Sequence, residues 1–185
     1  MRVKCLTLTN PWGVLMFPPP GGGPHKEYET RGWGVSYRGP LGIHAAKGYP
    51  TWARAFVEDN ALTSRALSVR GYDPHDPSAL PRGLILGLVD VLGCFCVDRP
   101  HPRYPTIKAG DVTPLERAWG DWTPGRIVWR TAYPRLFPEP IPTRGLQCLW
   151  TYDEPGLVAD LPVSAVGVVT QPPDRATARQ LALFP

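Results

Sequence analysis

Apolar and polar positions alternate through Val3–Thr9, which predicts a β-strand. Asn10-Pro11-Trp12 then predicts a helix start, with Asn10 as N-cap and Pro11 in the first turn. The run Phe17-Pro18-Pro19-Pro20-Gly21-Gly22-Gly23-Pro24 ends that helix in a surface loop. Glu27–Tyr37 is polar, with no clear period. Leu41–Ala46 predicts a short buried strand after a Gly39-Pro40 turn. Thr51–Val69 is the best helix: Thr51 can cap it, and Ala53, Phe56, Val57, Leu62 and Leu67 form its apolar stripe. Asp73–Arg82 is a Pro/Asp loop. Leu84–Val97 is a long β-rich run with Gly87 and Gly93 at expected bulges. Pro100–Pro124 is irregular, and Arg126–Tyr133 alternates as a strand. Leu136–Thr143 reads as a proline-rich connection and Leu146–Thr151 as a short helix or turn. Val163–Thr170 predicts a strand and Arg175–Leu183 a helix. Short strands with one main helix predict an α+β fold, a small mixed β-barrel with flanking helices.

The chain has 185 residues, 43% of them apolar, which is enough for one domain with its own core. Lys4, Thr7, Thr9, Asn10 and Pro11 interrupt the apolar residues of Met1–Leu15, so no signal sequence is expected there. The expectation is a cytoplasmic protein that does not engage a membrane. None of Cys5, Cys94, Cys96 and Cys148 forms C-x-x-C. Cys94 and Cys96 fall on one face of a strand and read as buried reduced thiols. No ligand spacing calls for a metal, and nothing calls for a cofactor. A net charge of +4 permits nucleic-acid binding without requiring it. Lysine occurs only at Lys4, Lys26, Lys47 and Lys108, and two of these bracket one segment, Lys26–Lys47.

Three stretches together resemble the ASCH domain, a branch of the PUA-like superfamily. The first is Leu6-Thr7-Leu8-Thr9-Asn10-Pro11-Trp12. The second runs Lys26-Glu27-Tyr28-Glu29-Thr30-Arg31-Gly32-Trp33 into Tyr37-Arg38-Gly39-Pro40-Leu41-Gly42-Ile43-His44-Ala45-Ala46-Lys47. The third is Trp119-Gly120-Asp121-Trp122-Thr123-Pro124-Gly125-Arg126-Ile127-Val128-Trp129, followed by Gly145–Trp150. The resemblance implies a PUA-like barrel over residues 1–152 with a ligand cleft beside its helices. Residues 153–185 would be an extension that packs on that domain or trails from it. It further implies RNA or a nucleotide as partner. Two positions depart from the usual pattern: Pro24 stands where relatives carry glycine, and Asn10 where they carry glutamine.

Within the second stretch, Lys26 and Arg31 suit phosphate, while Glu29 can accept from a base or hydroxyl or orient Lys26. The plainer reading is a solvated loop with a surface ion pair. Arg38 can reach a phosphate, and Tyr37 can stack on a base or pack in the core. His44 reads as a buried, satisfied histidine. Lys47 lies near the cleft in the family. Arg126 begins a strand and can point into the cleft, and Asp121 suits a turn. Trp12 and Trp33 are the candidate stacking wall, with Trp129 and Trp150 as packing. Lys26, Glu29, Arg31 and Lys47 are expected in one concave site, and loss of Lys26 or Arg38 is expected to leave stability nearly unchanged.

Catalysis is the second reading. Amidohydrolase relatives resemble K-T-x-T-x-R, but Glu29 occupies the place of the nucleophilic threonine, which argues against that chemistry. A metal-independent nuclease using lysine, tyrosine and arginine stays open, and the candidate catalytic residues for any enzyme reading are Lys26, Glu29, Tyr37 and Lys47. A third reading is a protein-interaction module using the proline-rich edges Phe17–Pro24 and Tyr133–Pro142.

Overall fold

The computed structural model describes residues 2–153. The predicted Val163–Thr170 strand, the Arg175–Leu183 helix and the C-terminal extension lie outside the described residues. The elements run β1 (Arg2–Leu8), α1 (Trp12–Leu15), β2 (Tyr28–Arg31), β3 (Gly39–Ala45), α2 (Thr51–Asp59) and α3 (Ala61–Ser68). Then follow β4 (Leu84–Val97), β5 (Thr106–Ile107), a 3-10 turn at Ala109–Asp111, α4 (Pro114–Ala118), β6 (Ile127–Pro142) and β7 (Leu149–Asp153). The seven strands of the described residues join one mixed sheet ordered β2-β6-β4-β3-β1-β7, with β5 on the far end of β4. β1 runs parallel to β3 and β5 parallel to β4; the other pairings are antiparallel.

No backbone ladder joins the end strands β2 and β7, so the sheet is open and the fold is α+β without a closed barrel. It is nonetheless curled. Arg31 Nη2 on β2 donates to the Thr7 carbonyl on β1 at 3.4 Å, although three strands lie between them in the pairing order.

Curling and bending follow from β4. Its register against β6 shifts beside Gly87 and again beside Gly93. A Cβ at Gly87 would fall 2.8 Å from Leu136 Cα and 2.9 Å from Phe17 Cε1, so only glycine lets β6 and the end of α1 close on that point. The core lies on one side of this spine. It joins Leu6 and Leu8 of β1, Ile43 of β3, Val57 and Leu67 of the helices, and Trp129 of β6. Cys94 and Cys96 are buried there as free thiols, as is Cys5 elsewhere in the sheet, while Cys148 is exposed. Burial pushes the Cys5 thiol up to about 11.

Several local expectations are corrected. Asn10 is not a cap: it is fully buried, and its Nδ2 donates to the Pro81 carbonyl at 2.7 Å, while α1 starts after Pro11 with no side-chain cap. The helix predicted over Thr51–Val69 is two helices. Asn60 leaves helical geometry, and its Oδ1 accepts from Thr63 N at 3.0 Å, so it ends α2 and caps α3. Pro50, not Thr51, precedes α2, and Leu62 is exposed.

β6 continues through the segment read as a connection. Beyond Thr131 its ladder partner among the described residues is β4 alone, so Pro134, Pro138, Pro140 and Pro142 occur where the other side of the strand has no described partner. Leu149–Asp153 is a strand on β1, not a helix or turn. The stretch Pro100–Pro124 contains α4, whose first turn is capped by Thr113 Oγ1 accepting from Glu116 N at 3.2 Å. Among the described residues no helix is long and apolar enough to cross a membrane.

Candidate functional site

The segment entering β2 is tied to three elements. Lys26 N donates to Leu15 O at 2.7 Å, Thr131 N donates to Glu27 O at 2.7 Å, and Glu27 N donates to the Glu116 carboxylate of α4. β2 itself pairs with Ile127–Arg130. Asp121 N donates to Thr30 Oγ1 at 2.9 Å, and Tyr28 meets Trp122 edge-on with ring centres 5.7 Å apart. The polar motif is thus built into the body of the protein.

Its three charges converge. Lys26 is 1% exposed; its Nζ donates to the Tyr28 carbonyl and lies 3.4 Å from Glu29 Oε2. Arg31 Nε lies 3.0 Å from Glu29 Oε1, without the alignment of a hydrogen bond. Arg126 and Asp121 form a second pair at 3.0 Å. Hydrogen bonds from the Thr123 hydroxyl and backbone hold the Asp121 carboxyl below its ordinary range, and Arg126 adds to the effect. Glu116 is buried behind Lys26. Burial pushes its carboxyl up to about 7 against the pull of Lys26, and its Oε2 has no hydrogen-bond partner.

Above these pairs lies a cavity of about 440 Å³. One wall is aromatic: Trp12 stands 5.7 Å from Trp52 and 5.0 Å from Phe56, centre to centre, both tilted by 31°. The facing wall carries Glu29, Thr30 and Arg31 of β2, then Asp121 and Arg126. Thr7–Thr9 at the end of β1 and Ala118–Gly120 after α4 complete it. Among the described residues lining this cavity there is no histidine, cysteine, serine or lysine.

The candidates therefore divide. Trp12, Glu29, Arg31 and Arg126 line the cavity, and Lys26 lies beneath it. Trp33 instead packs edge-on against Trp129 at 4.7 Å, and its carbonyl accepts from Trp129 Nε1. Arg38 donates to Val35 O and Tyr37 O of its own loop, and the Tyr37 hydroxyl donates to Pro40 O. Lys47 is exposed and lines a different depression with His44, Arg82 and Arg144. His44 is buried, with Nε2 3.1 Å from Thr143 O; burial lowers its pKa, so the neutral ring donates through Nε2. Trp129 and Trp150 are buried packing residues.

Sequence reading missed Trp52, Phe56 and Glu116. Trp52 and Phe56 are four apart on a helix and so share a face, a signal that was present. Thr113 and Glu116 have capping-box spacing, but the Glu116 side chain reaches Glu27 N instead of closing the box.

No protein-family model matches the chain. It is 30% identical over 111 residues to activating signal cointegrator 1 of Homo sapiens, a match covering 60% of this chain and 18% of the relative. It is 31% identical over 104 residues to activating signal cointegrator 1 of Mus musculus, covering 56% and 16%. The match thus spans less than a fifth of the curated relatives' length.

Proposed function

We propose that the cavity between β1, β2 and α2 binds one nucleotide of a single-stranded nucleic acid, RNA foremost. The carrying observation is the Trp12–Trp52–Phe56 wall facing Arg31 and Arg126. Every base has a π-face, and stacking on an aromatic side chain is worth roughly 1–3 kcal/mol per base. The guanidiniums suit phosphate, and the Glu29 and Asp121 carboxylates suit base amino groups. A cavity of about 440 Å³ falls within the ~300–1,000 Å³ of small-ligand sites. On this reading the chain carries an ASCH-type, PUA-like domain whose curled sheet corresponds to the barrel, and it acts in the cytoplasm. The three sequence stretches and the similarity to activating signal cointegrator 1 support the domain assignment.

Binding is favoured over turnover. Glu29 is engaged by two cations, and Thr30 Oγ1 already accepts from Asp121 N, so neither resembles an activated nucleophile. The test is fluorescence anisotropy of labelled single-stranded RNA and DNA oligomers over a salt series, with mass analysis of the RNA after incubation. Saturable, salt-sensitive binding without cleavage is expected. No saturable binding to any oligomer or nucleotide overturns the reading, and cleavage replaces it with the nuclease alternative.

A further inference from the structure

The second depression, of about 740 Å³, lies where three strands end, and three cations line it. Lys47 follows β3, Arg82 precedes β4 and Arg144 follows β6. Backbone hydrogen bonds clasp these three segments: Gly83 N donates to Ala45 O at 2.8 Å, and Thr143 N donates to Gly83 O at 3.1 Å. Each cation sits one or two residues from that clasp, so their convergence is set by the sheet rather than by loose loops. Gly145 tightens it further. A Cβ there would lie 2.7 Å from Thr7 Oγ1 and collide with the His44 ring, which fixes the chain beside Arg144.

The charge there is uncompensated. Among the described residues, no carboxylate lines this cavity and none of the three cations is in an ion pair. Arg82 acts only at a distance, as a minor influence on Asp76. The first cavity is the reverse, since each of its arginines faces a carboxylate. Clustered like charges of this kind repel one another and favour an anion that bridges them. Thr7 lines both cavities, so one strand crossing it reaches both.

We propose that this second cavity is a phosphodiester subsite, in which Lys47, Arg82 and Arg144 hold the backbone next to the nucleotide in the first cavity. This rests on the nucleotide-binding reading and extends it to a polymer of at least two units. Base selection and backbone grip are then physically separate: paired charges and aromatics in one cavity, bare cations in the other.

The test compares the full chain with the triple variant Lys47→Gln, Arg82→Gln, Arg144→Gln. All three side chains are exposed, so the variant's melting temperature should match the parent's. The probes are UMP, labelled pentauridylate and labelled hexaglutamate. The parent should bind pentauridylate more tightly than UMP. The variant should keep UMP affinity, lose roughly tenfold or more on pentauridylate, and show a salt slope shallower by about 0.7, the contribution of one neutralised phosphate on a single strand. Unchanged pentauridylate affinity and slope in the variant overturn the subsite while leaving the first cavity's assignment intact. Loss of hexaglutamate binding with unchanged pentauridylate binding also overturns it and assigns the patch to an acidic protein partner. A parent that binds neither UMP nor pentauridylate defeats the nucleotide reading itself, and the subsite with it.

Discussion

Lys26 Nζ lies 3.4 Å from Oε2 of Glu29, and the two side chains are only 1% and 10% exposed. The pair is buried, and Lys26 also donates to the Tyr28 carbonyl. Removing one partner of a buried pair costs ~3–5 kcal/mol when the other charge is left uncompensated, and the low end of that range applies here because Arg31 still holds the second oxygen of Glu29. Lys26→Met should therefore lower the melting temperature by roughly 10 °C, at ~2–4 °C per kcal/mol for a chain of this size. This reverses the expectation that Lys26 is dispensable for stability. Thermal unfolding followed by circular dichroism decides it, and a shift under ~2 °C would return Lys26 to a purely ligand-facing role.

Glu116 gives the protein an unusual pH response. Its carboxyl is raised by burial to about 7 in the fold, from an ordinary 4.5. Between those values the folded protein holds a proton that the unfolded chain has lost, so this residue's effect on stability worsens as pH rises from 4.5 to 7 and then levels. His44 opposes it. Its lowered pKa keeps the folded ring neutral while the unfolded ring protonates, which costs stability as pH falls below 6.5. The difference between parent and Glu116→Gln isolates the carboxyl. The variant should gain stability relative to the parent at pH 8 and little at pH 4.5 in urea unfolding. A pH-independent difference means that Glu116 is not protonated in the fold.

Much of the sheet was legible because alternation survives burial on one face. Leu84–Val97 is read to its end residues, with both glycine bulges, and Leu41–Ala46 is nearly so. The helix over Thr51–Val69 was overextended because the apolar stripe continues across Asn60, whose capping bond is a local competitor to the helix. β6 runs past its sequence signal because its prolines look like breakers, whereas a strand edge with no ladder partner among the described residues tolerates them. The site was half legible. Arg31 and Arg126 reach one cavity from opposite ends of the sequence, as the motif suggests. Lys47 does not join them, because the strand between carries it past the curl to the other side of Thr7. Lys26 and Glu116, ninety residues apart, are both buried and close enough to influence one another electrostatically, and no local pattern contains that.

Trp52 tests the aromatic wall with the least disturbance to the fold. It is 61% exposed yet stands 5.7 Å from Trp12 over the cavity. Trp52→Ala should change the melting temperature by no more than about 2 °C, since exposed side chains contribute within ~0.5 kcal/mol. Affinity for a labelled single-stranded oligomer should fall by roughly 5- to 100-fold if a base stacks there. Replacement by phenylalanine should recover much of the loss. If alanine binds as well as the parent, the wall packs on itself and does not receive a base.

Glu29 separates attraction from recognition. It neutralises two cations at once: Lys26 on one carboxylate oxygen and Arg31 on the other. Glu29→Gln keeps the shape and removes the charge. Arg31 is then left with only its 3.4 Å contact to the Thr7 carbonyl and is free to turn toward phosphate. Non-specific affinity for polyanions should rise a few-fold, with a steeper salt dependence, because one more cation releases counterions on binding. Discrimination among bases should fall in the same variant, since the carboxylate that accepts from a base amino group is gone. The cost appears in stability, because Lys26 loses its buried carboxylate partner and keeps the Tyr28 carbonyl and the influence of Glu116. Competition assays with homopolymers of the four bases, run beside thermal melts, read all three effects. Tighter polyanion binding with selectivity preserved would mean that Glu29 only holds Lys26 and Arg31 in place, and that the base is read by Asp121 across the cavity.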